Sequence, residues 1–251
     1  EIIGYGGDDA LSAAKTWLST VGDTASLNNA IAPANLQATV AAVVDTGLSE
    51  SGEQYTLVKG LDTLNGTSGN DTFIGAVSAD AEVNTLNALD SVNGGTGTDT
   101  LRVLTDGSTI SLPNVTAIEI IEAQSSDLLD IDTTGAAGVT TLNVTRANGD
   151  IDATAAATTD INVSLRDTAA ITDITTNGGK NVTVKLTDAA SVTDINNAGG
   201  AVVVEKTAAA VTNTTTPVAM GAINVSGGTT INVTSNAGSS ANLTAGGDLT
   251  T

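Results

Sequence analysis

The chain has 251 residues, 28 acidic against 8 basic side chains, a formal net charge of −20, and neither cysteine nor histidine. Disulfide staples, thiolate nucleophiles and histidine general bases are therefore excluded, and zinc or iron sites of ordinary ligand type are not expected. So acidic a surface repels nucleic-acid phosphates and anionic membranes, and the cation that suits it is hard, divalent and bound through oxygen.

Aromatic residues are few: Trp17, Phe73, Tyr5 and Tyr55. Thr, Ala, Val, Ile, Leu, Asn and Gly fill the chain instead, a mixture that suits short β-branched strands broken by polar turns. A mean hydropathy of +0.15 and recurring apolar positions argue against disorder. No run of 18 apolar residues is present, so no transmembrane span is expected.

Residues 1–47 read as a helical cap or linker region. Asp8 or Asp9 caps a helix carrying Leu11, Ala14, Trp17 and Leu18, and Gly22 closes it. Leu27, Ala30 and Ile31 continue a second segment. Pro33 suits the first turn of a further helix bearing Leu36, Val40, Val43 and Val44, which Gly47 ends. These helices are expected to cover an end of the β-structure.

Residues 48–104 form a glycine- and aspartate-rich segment that opens with a linker over 48–60. Two stretches align within it. Leu61-Asp62-Thr63-Leu64-Asn65-Gly66-Thr67-Ser68-Gly69-Asn70-Asp71-Thr72-Phe73 is followed by Leu89-Asp90-Ser91-Val92-Asn93-Gly94-Gly95-Thr96-Gly97-Thr98-Asp99-Thr100-Leu101. The second contains a complete G-G-x-G-x-D-x-U-x nonapeptide from Gly94 to Arg102. The first departs from it by Thr67 in place of the second glycine. Glycines permit a tight loop whose carbonyl oxygens turn toward a cation, Asp71 or Asp99 adds a hard carboxylate, and the next apolar residue anchors the loop. Asp62 and Asp90 could contribute from the neighbouring turn. The candidate metal residues are therefore Asp62, Asp71, Asp90, Asp99, Gly66, Gly69, Gly94 and Gly97, and the expected ion is Ca2+. The competing reading is a pair of turns without an ion.

Residues 105–251 read as a repetitive parallel β-helix belonging to a longer chain. Leu165–Ile174 resembles Leu186–Ile195, which places Asp173 with Asp194 and Asp167 with Asp188 at equivalent coil positions. Small β runs centre on Asn143, Asn162, Thr183, Val203 and Asn224, with weaker runs near Ile151, Ile171, Val192 and Val211. Such even recurrence suits stacked coils, with Gly and Asn at the corners. The expected fold is mainly β, a right-handed parallel β-helix or solenoid with calcium turns and a small N-terminal helical region. A Thr-rich β-sandwich is the competing architecture.

The Gly94–Arg102 nonapeptide and its imperfect partner resemble the RTX repeats of proteins exported by type I secretion. The Thr/Ala/Asn/Val-rich texture, and the stretch Leu112–Glu122 with its Ile118-Glu119, resemble RTX-type surface-layer proteins of Gram-negative bacteria. That resemblance implies calcium-driven folding after export and a lattice at the cell surface. It makes Asp71 and Asp99 the ligating carboxylates, with Gly66, Gly69, Gly94, Gly95 and Gly97 shaping the loops. It implies an extracellular location, at the cell surface or in a biofilm matrix. The partners implied are further copies of the chain and cell-surface polysaccharide.

The function expected is a calcium-dependent structural subunit that self-assembles outside the cell. An RTX adhesin stalk is the alternative, although few aromatics are present to stack on sugars. A β-helical polysaccharide-degrading enzyme is a third reading. Acid pairs such as Asp167 with Asp173 exist, and Arg102, Arg146 and Arg166 are the arginines, yet nothing singles out a dyad in so acidic a chain. No enzyme activity is expected. A phosphate-binding loop is absent.

Overall fold

The computed structural model describes residues 15–35 except 17 and 34, then 52–166, 171–187, 192–207, 221–235, 241–244 and 248–250. The expected helix residues Asp8, Asp9, Leu11, Ala14, Trp17, Leu36, Val40, Val43 and Val44 lie outside these, as do Asp167, Asp188 and Val211.

In the N-terminal region α1 spans Thr24–Ala30. Asp23 starts it with a reciprocal cap: its carboxylate accepts the Ser26 N–H at 2.7 Å, and its own N–H donates to Ser26 Oγ at 2.9 Å. None of its residues is buried, and Leu18, Leu27 and Ile31 nearby are exposed. The rest of the region expected to cover an end of the β-structure lies outside the described residues.

From residue 54 onward the strands wind as a parallel solenoid. One long sheet contains β1 (Gln54–Thr56), β3 (Thr72–Val77), β5 (Thr100–Thr105), β7 (Ile120–Ser125) and β9 (Thr141–Arg146). It continues through β11 (Asp160–Arg166), β13 (Val182–Thr187), β15 (Ala201–Thr207), β17 (Thr230–Ser235) and β19 (Asp248–Thr250). The intervening strands build two shorter sheets. β2 (Thr63–Asn65), β4 (Ser91–Asn93) and β6 (Asn114–Thr116) form the first. β8 (Leu129–Asp132), β10 (Ile151–Ala155), β12 (Asp173–Gly178), β14 (Val192–Ala198), β16 (Ile223–Gly227) and β18 (Ala241–Thr244) form the second. Every described strand pairs in parallel, and each one inside a sheet pairs with its equivalents on both the coil before and the coil after. This pattern ends the sandwich reading.

Alternation decides which side chains enter the core. Along the long sheet, Phe73, Leu101, Ile121, Leu142, Ile161, Val182, Val202 and Ile231 stand in one register column, each no more than 1% exposed. Burying each such side chain stabilises by about 1.5–3 kcal/mol, and no single coil could bury its own. Tyr55 caps the column, its ring stacked on Phe73 with centroids 4.9 Å apart.

Three local expectations are corrected. Residues 54–57 are not linker: β1 pairs with β3, and Leu57 is buried. Asn143, Asn162, Thr183 and Val203 do stack in the long sheet, but Asn224 belongs to β16 in another sheet, and Val203 lies against Asn232. Asp194 lies beside Thr175 rather than Asp173. The sequence repeat holds in the long sheet, where Leu165 pairs with Leu186, and slips by two residues in the six-stranded sheet. A two-residue slip keeps every side chain on its own face, so alternation cannot detect it.

Candidate metal centre

The two Gly–Asp loops occupy the same corner of successive coils. β2 pairs with β4 before the loops, and β3 pairs with β5 after them. Between these strands the Gly66 N–H donates to the Asn93 carbonyl at 2.8 Å, and the Thr98 N–H to Asn70 Oδ1 at 2.8 Å. Glycine is required where the loops press together. A Cβ on Gly66 would strike the Gly94 carbonyl oxygen and Asp71 Oδ2, and one on Gly94 would strike the Ala117 carbonyl oxygen and Asp99 Oδ2. Gly95 and Gly97 adopt positive φ (99° and 129°), against the carbonyls of Thr67 and Gly69.

Asp71 and Asp99 are 1% and 0% exposed at the end of their loops. A chain of bonds joins them along the stack. The Glu53 N–H donates to Asp71 Oδ1 at 2.6 Å, the Asp71 N–H to Asp99 Oδ1 at 2.6 Å, and the Asp99 N–H to Glu119 Oε2 at 2.9 Å. Each carboxylate thus receives a corner N–H from the preceding coil. Glu119 takes this place on the third coil. It was not among the candidate ligands, because its loop lacks the glycine pattern. The signal that finds it is coil length: it lies 20 residues beyond Asp99.

Asp62 and Asp90 form a second stack at the opposite end of β2 and β4. Asp90 accepts the Asp62 N–H at 3.0 Å and the Asn87 N–H at 2.7 Å, and Asp62 accepts the Val58 N–H at 2.9 Å. These carboxylates bracket backbone donors of the corner. The structure brings Asp71 to Asp99, and Asp62 to Asp90, as two separate stacks. Among the described residues no three acidic side chains converge as a metal cluster.

The two loops differ at the second glycine position, where Thr67 faces Gly95. In the first, Asp71 Oδ2 accepts the Thr67 N–H at 2.6 Å, and the Thr67 hydroxyl lies 3.1 Å from both carboxylate oxygens. In the second, Gly95 stands where Thr67 does, and its N–H turns to Asn93 Oδ1 at 3.3 Å. Asp99 Oδ2 is left buried with no hydrogen-bond partner among the described residues. Burial raises the Asp99 carboxyl above its ordinary range, against the Asp71 N–H, which lowers it; the charges of Asp71 and Glu119 raise it further. A buried carboxylate oxygen without a donor, beside the Ala117 carbonyl, is the donor chemistry calcium takes. The second loop fits the ion. In the first, the protein itself already satisfies the carboxylate.

A separate acidic face lies on the six-stranded sheet, where Asp130 and Asp152 are register partners. Burial and the Asp130 charge raise the Asp152 carboxyl, and burial with Asp194 and Asp150 raises that of Asp173. Asp173 is described, but its suggested partner Asp167 is not. Among the described residues no helix is long and apolar enough to cross a membrane. No protein-family model matches the chain, and no match is found among the curated proteins. What the chain is rests on its own geometry: a parallel β-solenoid scaffold.

Proposed function

We propose that this chain is a calcium-dependent structural subunit of a bacterial surface layer or extracellular matrix, assembling with further copies of itself outside the cell. The observation that carries this reading is the buried, unpartnered Asp99 Oδ2, set in the one loop that keeps the complete nonapeptide. The resemblance of Gly94–Arg102 to RTX repeats supports the same ion. Asp99 would hold it, with the loop carbonyls around Gly94 and Ala117 as further oxygen donors. Calcium supplies positive charge that offsets the repulsion among Asp99, Asp71 and Glu119. The chain's own part is to fix the corner, since each N–H of the Glu53–Asp71–Asp99 series sets the carboxylate on the next coil.

The scaffold itself favours a structural role over catalysis. Its outward positions on the long sheet carry Thr, Asn and paired charges, such as Arg102 with Glu122 at 2.9 Å and Lys185 with Glu205 at 3.2 Å. These pairs link neighbouring coils. The reading assigns no residue a catalytic role.

The test is a calcium titration of chelator-treated protein, followed by circular dichroism and light scattering with magnesium as control. Calcium-selective gain of β-structure followed by large ordered particles is the expected result. Folding without assembly would favour a calcium-stiffened adhesin stalk. No response to calcium would overturn the calcium reading.

A further inference from the structure

The two loops are near-copies, yet their carboxylates are satisfied differently. Asp71 is closed from within: Thr67 offers it an N–H at 2.6 Å and a hydroxyl at 3.1 Å, and the same hydroxyl accepts the Gly69 N–H at 3.0 Å. Thr67 thereby ties the carboxylate to the middle of its own loop. Asp99 has no such contact. Its Oδ1 takes the Asp71 N–H, and its Oδ2 takes nothing from the described residues. The difference traces to residue 67 against residue 95. Gly95 sits at φ 99°, where an L side chain is strained, and this conformation carries its N–H away from Asp99. Thr67 is not in the positive-φ region, so its N–H stays on Asp71.

We propose that Thr67 does in the first loop what a cation does in the second, so that the pair holds one calcium ion, at Asp99, and the Asp71 loop folds without metal. The proposal rests on the calcium reading of the second loop and adds that the two loops are not equivalent. It gives the departure from the repeat a purpose. A threonine in the second glycine position converts a metal-dependent corner into a self-sufficient one. The coil that folds without metal then presents the Asp71 N–H to the coil that waits for it.

The experiment counts calcium bound to the full chain by native mass spectrometry and isothermal titration calorimetry. The variants are Asp99→Asn, Asp71→Asn, Thr67→Gly and Thr67→Ser. Thr67→Gly restores the complete glycine pattern from Gly66 to Asp71 and is expected to gain one ion over the wild type. Thr67→Ser keeps the hydroxyl and gains none. Asp99→Asn loses one ion, and Asp71→Asn loses none. If Asp71→Asn loses an ion as Asp99→Asn does, or folded Thr67→Gly gains none, the inequivalence is wrong while calcium at Asp99 stands. If Asp99→Asn binds as many ions as the wild type, the calcium reading itself falls. Amide exchange at residue 67 in chelator gives a readout that does not depend on Thr67→Gly folding. Protection there without calcium is expected, and protection only on adding calcium would overturn the proposal.

Discussion

The backbone N–H of Asp71 donates to the carboxylate of Asp99 at 2.6 Å, although the two residues are 28 apart in the chain. The corner of one coil is therefore held by a side chain of the next. Asp62 and Asp90 repeat the arrangement at the other end of the short strands. Paired acids along a solenoid would repel if they faced each other bare, and here backbone donors lie between them.

Asp90→Ala tests the bracket role. It strips acceptors from the Asp62 and Asn87 N–H groups and should cost about 2–3 kcal/mol, the range for buried donors left without partners. The loss should be the same with calcium or with chelator, measured as the shift in urea midpoint. A loss confined to calcium-loaded protein would make Asp90 a ligand instead.

For Asp99 the dependence runs the other way. Asp99→Ala should raise the calcium concentration needed to order its own corner, while Thr158→Ala, at an exposed position, should leave it unchanged. Circular dichroism titrations of the two variants decide the matter. Equal calcium dependence removes Asp99 from the ligands.

Metal-free protein should be most stable on the acid side of neutral. Burial holds Asp99, Asp152 and Asp173 above the ordinary aspartate value of 3.8. A raised folded pKa means that the folded form binds protons more readily, so stability rises as pH falls through those values. Asp106 has the opposite sign. Hydrogen bonds from Ser108 and Ser78 hold it at about 2, so its contribution is complete above 3.8 and is lost as pH falls toward 2. Lys206, pulled down to about 8 by burial, loses its contribution as pH falls from 10.5 through 8. Melting temperatures in chelator should climb as pH is lowered through the raised values toward 3.8 and fall below 3.8 as Asp106 takes its proton. A steady decline from pH 7 downward would contradict the buried-carboxylate account, and Asp99→Asn should flatten the climb.

Thr193→Val and Thr176→Val should each stabilise by about 1 kcal/mol. Both hydroxyls are wholly buried with no partner among the described residues, and valine keeps the shape while removing the unsatisfied group. Chemical denaturation of each variant measures this. A loss of stability would show that the hydroxyl holds an ordered internal water.

The solenoid was legible because its coils recur, and because Val, Ile and Leu alternate with Thr and Asn along each strand. The corner loops were legible from their glycines. Three features were hidden, each for a physical reason. The register slip that sets Asp194 beside Thr175 preserves the in–out pattern and leaves no trace in hydropathy. The strand at Gln54–Thr56 is three residues long, too short for inward Tyr55 and Leu57 to establish an alternating pattern. Glu119 completes the carboxylate series by position alone, in a loop without the glycine signature. Thr67 was visible as a departure from the repeat. Its effect was not, because the bond to Asp71 depends on a backbone angle.

Parallel pairing directs the backbone hydrogen bonds along the stack, from each coil to its neighbour. Tension on the flanking chain therefore opens the outermost coil bond by bond and reaches the next only after the first has let go. Each release frees one coil, between 18 and 30 residues of slack. A rod made this way does not snap at a single weak plane. It lengthens in steps, each limited by one ladder, and a corner clamped by an ion would mark where the unwinding stalls.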